Sequence, residues 1–188
     1  MNLMISETLL QHTPAATHAD VAVDILAYAT GECALGRVLV ARSVDGVCAI
    51  LLGADPDELK ADLAARFPQA TLVANAAIVH DDLAKVIRFV DNPAAGLHLT
   101  LDMRGTPLHR RVWEKLRAIP VGRTVTYTEL GRWISPLTSV RVVAGACAAN
   151  PIALAIPCHR VVRSDGDLAG YRWGIERKRE LIRKEAMA

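Results

Sequence analysis

The sequence predicts an α/β protein in two parts, an N-terminal α/β unit over residues 20–105 and a mostly helical C-terminal unit over residues 106–188. Two observations support this division. Strand-like and helix-like apolar patterns alternate up to Gly105, after which helical patterns dominate. The charge also changes sign, because residues 1–95 hold 6 Lys/Arg and 12 Asp/Glu whereas residues 96–188 hold 16 and 8.

The first part of the N-terminal unit is predicted to be a strand followed by a hairpin. Residues 1–19 show no clear period and are expected to form a loosely ordered lead-in. Residues 20–30 have the β-branched alternation of a strand. Residues 36–53 contain two apolar runs joined by a turn at Ser43–Gly46, which is the pattern of a β-hairpin.

Two helices and two further strands are predicted in the rest of this unit. Residues 55–67 begin with aspartates and carry apolar residues four positions apart, which predicts a helix. Residues 81–92 show the same acidic start and predict a second helix. The apolar runs at residues 70–75 and 97–105 predict strands, the second ended by Gly105.

Three helices with a threonine or serine cap are predicted over residues 106–120, 121–134 and 140–150. Thr106 precedes Pro107, a residue favoured at the first helical position. Thr126 and Glu129 match the capping-box pattern, and Ser139 is placed to cap the third helix. The second and third helices, joined by a tight turn, form a candidate helix-turn-helix, although such pairs also occur as plain helix corners.

The predicted third helix has few large side chains, since most of its length is alanine or glycine, including Ala144, Gly145 and Ala148. Two interpretations stay open from the residues alone. The helix packs tightly against a neighbour, or it is slim enough to enter the DNA minor groove, which is about 6 Å wide. In the second case Arg141, near the start of the helix, would reach into the duplex.

The positive charge of the C-terminal unit is mostly arginine, whose planar guanidinium is a good phosphate ligand. The basic unit is therefore expected to face a polyanion, although a simple attraction between the two halves is the alternative. The candidate phosphate-contacting residues are Arg110, Arg111, Arg123, Arg132 and Arg141.

Residues 156–162 place polar side chains within an apolar segment that is predicted to be a strand ended by Pro157. A buried cysteine is usually an ordinary core residue. Cys158, however, follows the end of this strand, where a turn can project its side chain into a pocket. His159 comes next, but neighbours in a strand point to opposite faces, so a Cys–His contact needs a bend or a bridging water.

Glu185 is the third candidate residue of this group. On the predicted last helix, residues 175–186, it shares the apolar face of Leu181, so it either meets a buried partner or lies at a solvated helix end. A relay from Cys158 through His159 to Glu185 would favour the thiolate, which is the reactive form of cysteine.

No metal, cofactor or membrane segment is predicted. The four cysteines form no CxxC pair and are expected to be free thiols. Metal ligation by Cys33, Cys48, His80 and His98 stays open, although their spacing is unlike that of structural zinc sites. No apolar run is long enough to span a bilayer, and the N-terminus lacks signal-peptide features, so a cytoplasmic location is expected.

From Thr106 to Glu185 the sequence resembles the C-terminal, active domain of the O6-alkylguanine-DNA alkyltransferase family, of the Ada type. The resemblance is carried by AAN at residues 148–150, PCHRVV at 157–162, GYRWG at 170–174 and LIRKE at 181–185. It implies an RNase H-like N-terminal domain followed by a helix-turn-helix domain with an active-site cysteine. It also implies stoichiometric, irreversible transfer of an alkyl group from O6-alkylguanine, or from O4-methylthymine, by a monomer that binds double-stranded DNA without a cofactor.

The resemblance implies roles for single residues in the reaction. Cys158 would accept the alkyl group, His159 would act through a bound water, and Glu185 would orient His159. Asn150 would tie the recognition helix to the active-site segment. Tyr127 would lie at the 3′ phosphate, help rotate the nucleotide and protonate the departing guanine.

The resemblance also implies a set of DNA and base contacts. The helix over residues 140–149 would enter the minor groove, and Arg141 would fill the gap left by the extruded base. Tyr171 would line the pocket, and the Val161 carbonyl would read the exocyclic amine of the base. The other residues implied in the pocket or on the DNA are Pro157, Arg172, Trp173, Ala144, Gly145, Ala148 and Arg123. Some relatives carry small residues in place of Arg172 and Trp173, so the resemblance does not predict the width of the pocket.

Three other functions match parts of the pattern. The main alternative is a helix-turn-helix transcriptional regulator with a structural Cys158, but the third helix has no Asn, Gln or Lys to read base edges. A cysteine hydrolase would need Cys158 and His159 in direct contact, which adjacent residues achieve poorly. A damage sensor related to the alkyltransferases would lack the acceptor cysteine that this chain keeps.

Overall fold

The computed structural model describes residues 23–188 of the chain, so the predicted lead-in over residues 1–19 lies outside the described residues. The N-terminal region contains β1 (Ile25–Cys33), β2 (Gly36–Arg42), β3 (Val47–Gly53), α1 (Pro56–Arg66), β4 (Thr71–Ala74) and α2 (Ala76–Asp91). The strands form one sheet in the order β3-β2-β1-β4, antiparallel except for β4, which joins β1 in parallel. Both helices pack on this sheet. The strands and the helix predicted over residues 20–30, 70–75 and 55–67 correspond to β1, β4 and α1.

The hairpin predicted over residues 36–53 is confirmed. β2 and β3 pair antiparallel, with Val40 opposite Ile50. In the turn, Gly46 has a φ of 147°, and a Cβ on it would lie 2.6 Å from the Thr100 carbonyl oxygen, so the turn requires glycine. β3 is buried along almost its whole length although it is the last strand of its sheet. Its free edge must therefore be covered by other parts of the chain.

The prediction of a strand over residues 97–105 is wrong. The reason is that these residues cover only part of the free edge of β3. These residues form one isolated bridge, in which Leu101 pairs with Val47, and no regular strand. Further along β3, Ile50 makes a second isolated bridge with Ile152 of the C-terminal half. Two segments share the same edge, so neither forms a longer ladder of hydrogen bonds.

The helix predicted over residues 81–92 begins five residues earlier, as α2. Asn75 directly follows β4, and its Oδ1 accepts a hydrogen bond from the Ile78 N–H at 3.2 Å. This cap satisfies one of the N–H groups that a helix start leaves without a partner. The early start also adds Val79 to the buried face of the helix.

The C-terminal half is mostly helical. It contains α3 (Pro107–Arg117), β5 (Val125–Thr126), α4 (Tyr127–Ile134), α5 (Val140–Ala149), β6 (Val161–Val162) and α6 (Ile175–Glu185). The predicted caps are present, since Thr106 caps α3, Thr126 and Glu129 form the capping box of α4, and Ser139 caps α5. The three helices predicted from these signals are therefore confirmed.

α3, α4 and α5 pack against one another as a three-helix cluster. The Trp113 indole N–H on α3 donates to the Ala146 carbonyl oxygen on α5 at 2.8 Å. Gly131 on α4 lies close to the turn between α4 and α5, because a Cβ on it would lie 2.9 Å from the Thr138 carbonyl oxygen. Within residues 23–188, no helix combines the length and apolar character that a bilayer crossing requires.

Candidate active site

The strand predicted before Cys158 is wrong. Apart from the bridge at Ile152, residues 152–157 form turns, and Leu154 has a left-handed backbone with a φ of 67°. Cys158–Arg160 then form one 3₁₀ turn. The apolar, β-branched composition predicted a strand, but among the described residues β3 bonds this segment through Ile50 alone, whose N–H donates to the Pro151 carbonyl oxygen and whose carbonyl oxygen accepts from the Ala153 N–H.

The side chain of Asn150 holds this segment in place of the backbone hydrogen bonds that a strand would make. It is fully buried at the C-terminus of α5. Its Nδ2 donates to the Ile156 carbonyl oxygen at 2.8 Å and to Cys158 Sγ at 3.4 Å, and its Oδ1 accepts from the Ile152 N–H at 2.9 Å. One amide therefore fastens the end of α5 to the turn that carries the cysteine.

Asn150→Ala is expected to lower the free energy of unfolding by about 1–3 kcal/mol, because it leaves the buried Ile152 N–H unpaired, whereas the Ile156 carbonyl oxygen keeps its hydrogen bond from the Cys158 N–H. Urea unfolding measures this loss. Asn92→Ala is the matched control, since Asn92 is exposed and its side chain makes no capping hydrogen bond. Surface changes of that kind stay within about 0.5 kcal/mol. An Asn150 variant as stable as the Asn92 variant would show that the turn is held by other contacts.

Cys158 lies at a pocket of about 700 Å³ and is itself only 5% exposed. The pocket is lined by side chains of α5, by the first residue of α4 and by the chain after β6. A second cysteine, Cys147, and two aromatic residues, Tyr127 and Tyr171, are part of this lining. The remaining lining residues are Val140, Ala144, Ala148, Arg163, Ala169, Gly170 and Arg172.

His159 and Arg160, which follow Cys158 in the chain, form a buried cluster with Glu185 of α6. Glu185 Oε1 lies 2.8 Å from His159 Nε2. Arg160 donates to the same carboxylate twice, from Nε at 2.8 Å and from Nη2 at 2.9 Å. Glu185 is only 3% exposed, so the interpretation of this residue as a solvated helix end is wrong.

The charge state of Glu185 fixes the tautomer of His159. Burial would raise the pKa of Glu185, but the hydrogen bonds from His159 and Arg160 outweigh burial and lower the pKa to about 2. The carboxylate is therefore an anion that only accepts, so His159 Nε2 donates to it. Burial also lowers the pKa of His159 below its ordinary 6.5, which keeps the ring neutral. Its Nδ1 is then an acceptor, buried and without a hydrogen-bond partner among residues 23–188.

The resting form of Cys158 is the thiol. Burial raises its pKa above the ordinary 9.0, and the hydrogen bond from Asn150 and the charge of Lys178 offset only part of this effect. The relay was predicted to favour the thiolate, and in the resting protein it does not, because desolvation of the sulfur dominates. His159, the next residue in the chain, holds an unpartnered acceptor nitrogen that can take the thiol proton.

Two tyrosines bring hydroxyl groups to this pocket. Tyr127 is the first residue of α4, and burial, with added effects of Cys147 and Cys158, raises its pKa to about 12. Its phenol therefore keeps its proton at neutral pH. The Tyr171 ring packs edge-on against His159, with ring centroids 6.4 Å apart, and its buried hydroxyl has no partner within residues 23–188.

Three residues predicted in the pocket lie outside its lining. Pro157 lines a separate cavity between the two halves of the chain. Trp173 is buried and lines another cavity, together with Leu59 of α1. Val161 is fully buried, and its carbonyl oxygen already accepts a hydrogen bond from Lys178 Nζ at 2.6 Å. The other predicted pocket residues, Tyr171 and Arg172, do line the pocket.

Sequence reasoning assigned no role to two buried charged residues, Arg160 and Lys178. Lys178 Nζ donates to the carbonyl oxygens of Val161 and Leu168, and so ties α6 to the chain after the 3₁₀ turn. A signal for Lys178 was present, because it shares the inward face of α6 on which Glu185 was identified. Arg160 offered no such signal, since a single 3₁₀ turn has no apolar period to place its side chain.

The outer face of α5 is bare, as its composition predicted. Gly145 and Ala148 are exposed, and a Cβ on Gly145 would meet no atom within 4 Å. Val143 and Ala146 are buried on the opposite face, which packs on α3 and α4. The tight-packing interpretation therefore applies to the inner face, and the outer face is left open to a partner.

The five candidate phosphate-contacting arginines are all exposed. Among residues 23–188, none of them has a carboxylate oxygen within 4 Å of its guanidinium. Across the same residues two ion pairs, Arg172–Asp62 and Arg104–Asp24, join the acidic part up to residue 95 to the basic part from residue 96. Attraction between the halves therefore leaves most of the positive charge unneutralised.

The four cysteines are free thiols. In the described part of the chain, no three His, Cys, Asp or Glu side chains lie close enough together to hold a metal ion. Cys33, Cys48, His80 and His98, named as ligands that the sequence left open, form no such group there.

Comparison with known proteins agrees with this geometry. Residues 107–187 match the family model described as 6-O-methylguanine DNA methyltransferase, DNA binding domain. The bifunctional transcriptional activator/DNA repair enzyme Ada of Escherichia coli (strain K12) is 48% identical over 159 residues, which cover 85% of this chain and 45% of that protein. The chain thus spans about half the length of this relative. A methylated-DNA–protein-cysteine methyltransferase of Candida albicans is 36% identical, over 80% of this chain and 90% of that protein.

A solved structure supports the same relationship. Mycobacterium tuberculosis OGT, in a crystal structure in complex with DNA, is similar with a TM-score of 0.67 and 28% sequence identity, over 86% of this chain and 93% of that one. The mixed α/β fold is therefore shared, and the match to the Candida protein extends over nearly the full length of that relative. The chain belongs to the methylated-DNA–protein-cysteine methyltransferase family.

Proposed function

We propose that the chain repairs DNA by transferring the alkyl group of O6-alkylguanine, and of O4-methylthymine, to the sulfur of Cys158. The observation that carries this proposal is the position of Cys158 at a pocket beside the bare helix α5, next to a neutral histidine with a free acceptor nitrogen. Membership of the family supports the same chemistry. The transfer is irreversible and stoichiometric, because a thioether is not readily hydrolysed, and it needs no cofactor.

The lesion must leave the duplex before it can reach Cys158, because O6 of guanine lies inside the base stack. The outer face of α5 supports binding in the minor groove, which is about 6 Å wide and admits only slim elements. Gly145 and Ala148 would lie against the groove. Arg141, exposed near the start of α5, would fill the gap in the stack, and Tyr127 would turn the nucleotide at its 3′ phosphate.

The chemical step is a displacement at the alkyl carbon. His159 Nδ1 takes the thiol proton through a bridging water, and the sulfur forms a bond to carbon as the carbon–O6 bond breaks. The electron pair of that bond stays with guanine, which takes a proton from the Tyr127 hydroxyl. Glu185 stabilises the imidazolium on His159 until its proton returns to Tyr127 through solvent. The net change exchanges the thiol proton for the alkyl group.

The proposal extends to the organisation of the protein. Residues 20–105 would form an RNase H-like domain and residues 106–188 the DNA-binding and alkyl-acceptor domain. The four-stranded sheet with two helices and the cluster of three capped helices support this division. The protein would act in the cytoplasm, as a monomer on double-stranded DNA.

The proposed function is tested by mass spectrometry after mixing the protein with excess duplex that carries one O6-methylguanine. The expected result is a gain of one methyl group per protein molecule, mapped to the peptide that contains Cys158, with no further reaction. Repair of more than one equivalent of DNA would exclude a stoichiometric acceptor. Binding of the duplex without a mass gain would favour a helix-turn-helix regulator or a damage sensor instead.

Duplex binding is expected to weaken steeply with salt, since each phosphate contact contributes a slope of about −0.9 to the logarithmic salt dependence. The four arginines that would contact phosphates, Arg110, Arg111, Arg123 and Arg132, predict a slope of about −3.6, or a loss of about 150-fold between about 50 and 200 mM salt. Fluorescence anisotropy with a labelled duplex measures the slope.

Arg123→Ala should make this slope shallower by about 1. Arg179→Ala is the matched control, because this exposed arginine lies on α6 and is paired with Glu176, and its slope should equal that of the unmodified protein. Duplex binding that did not respond to salt would exclude the proposed phosphate contacts.

A further inference from the structure

Residues 163–174, here named the pocket loop, form one wall of the pocket that contains Cys158. Arg163 and residues 169–172 line the pocket directly. The loop has little regular structure of its own, Ala169 has a left-handed φ of 54°, and a Cβ on Gly170 would meet no atom within 4 Å. Its position therefore depends on contacts with its neighbours.

The N-terminal region supplies several of these contacts although none of its described residues lines the pocket. Arg172 Nη2 lies 2.6 Å from Asp62 Oδ1 of α1. The next residue, Trp173, is buried at a cavity that Asp62 also lines. Arg177 binds both parts of the chain, because it donates to the carbonyl oxygens of Leu35 and Trp173, each at 2.8 Å. The C-terminal end of the pocket loop is thus fastened to the N-terminal region.

Asp62 is the charged residue on which this arrangement depends. Its carboxylate accepts from Arg172 and also from Arg66 Nε, at 3.3 Å. Arg66 has a further buried guanidinium nitrogen with no partner within residues 23–188. Two guanidinium groups therefore share one carboxylate, and without its negative charge they would repel each other across the contact between α1 and the pocket loop.

We propose that Asp62 is a positioning residue that sets the width of the alkyl-acceptor pocket through Arg172, so that the N-terminal region determines which alkyl groups are accepted. This inference rests on the proposed function. Residues 169–172 are part of the pocket wall, and in this proposal a benzyl group reaches that wall and pushes on it, whereas the smaller methyl group does not. Movement of the wall is opposed by the ion pair between Arg172 and Asp62. The pair is partly exposed, at 41% and 28%, so its strength is moderate and the loop can be released by a single change.

The test compares transfer rates from two duplexes that differ only in whether the guanine carries a methyl or a benzyl group. Both substrates make the same DNA contacts, so the effect of these contacts on the rate cancels in the ratio of the two rates. Asp62→Asn is expected to raise the benzyl-to-methyl ratio by about 3–10-fold, because the pocket loop moves away more easily. Asp62→Glu, which keeps the carboxylate, should return the ratio to within about twofold of the unmodified protein.

Asp57→Asn is the matched control. It removes one negative charge from the same helix, but the side chain is exposed and lies outside the contact with the pocket loop. Its benzyl-to-methyl ratio should equal that of the unmodified protein. If Asp62→Asn left the ratio unchanged, or lowered both rates by the same factor, Asp62 would only stabilise the fold and the proposal would be wrong.

A second measurement separates this inference from the proposed function. Amide hydrogen exchange over residues 168–173 should be several-fold faster in Asp62→Asn than in Asp57→Asn, whether or not alkyl transfer occurs. If the unmodified protein takes up no methyl group, the proposed function fails while exchange still reports on the pocket loop. Unchanged exchange would overturn the positioning role itself.

Discussion

Cys158→Ala is expected to abolish alkyl uptake, whereas Cys147→Ala should still take up one methyl group per molecule. Both thiols line the same pocket, so position alone does not decide between them. Cys158 Sγ accepts a hydrogen bond from Asn150, and its chain neighbour His159 holds the free acceptor nitrogen. Burial and the neighbouring Cys158 raise the pKa of Cys147 strongly, and no hydrogen bond to its sulfur offsets this among the described residues.

Intact-mass measurement on both variants checks this expectation. The end point, rather than the rate, is compared, because Cys147 also shapes the pocket wall. A methylated Cys158→Ala protein would show that a second thiol is the acceptor. Peptide mapping would then decide whether that thiol is Cys147.

Glu185→Gln is expected to lower the free energy of unfolding by about 3–5 kcal/mol, because it leaves the buried guanidinium of Arg160 without its anion. For a chain of this length the melting temperature should fall by about 6–20 °C. At a temperature where the variant stays folded, alkyl transfer should slow by about 100-fold or more, since His159 loses the carboxylate that stabilises its protonated form. Thermal unfolding and single-turnover kinetics measure the two effects.

The pH dependence of stability gives an independent check on Glu185. Its pKa is about 2 in the folded protein and 4.5 ordinarily, so its stabilisation is present above pH 4.5 and is lost as pH falls toward 2. Glu185→Gln should remove this dependence. The control is Glu180→Gln on the same helix, where the carboxylate pairs with Arg183 at the surface and water screens the pair. Equal losses in the two variants would contradict a special role for the buried carboxylate.

The elements that the sequence predicted well are those with a local chemical signal. The caps at Thr106, Thr126 and Ser139 and the hairpin turn depend on residues within a few positions of each other, and all are present. The strands predicted over residues 97–105 and before Cys158 failed for a different reason. Whether an extended apolar segment becomes a strand depends on a free partner edge, and β3 divides its edge between these two segments.

The candidate site shows the same contrast. The residue pattern singled out Cys158, His159 and Glu185 as candidates and the resemblance gave them roles, and the structure brings the last two within 2.8 Å. Arg160, which shares the carboxylate, was missed because it lies in a single 3₁₀ turn, which has no apolar period to place its side chain. The protonation states were also beyond the sequence, since burial raises the pKa of Cys158 and lowers that of His159, and burial depends on the whole fold.

Gly145 has a consequence for how this protein can vary. An alanine there would meet no atom within 4 Å, and it would favour the helix by about 0.8–1 kcal/mol over glycine. Folding therefore does not select glycine at this position. If a duplex lies against α5, it is the fit to the DNA groove that selects glycine at this position. Substitution of Gly145 by a larger residue would then reduce DNA repair without reducing the stability of the protein.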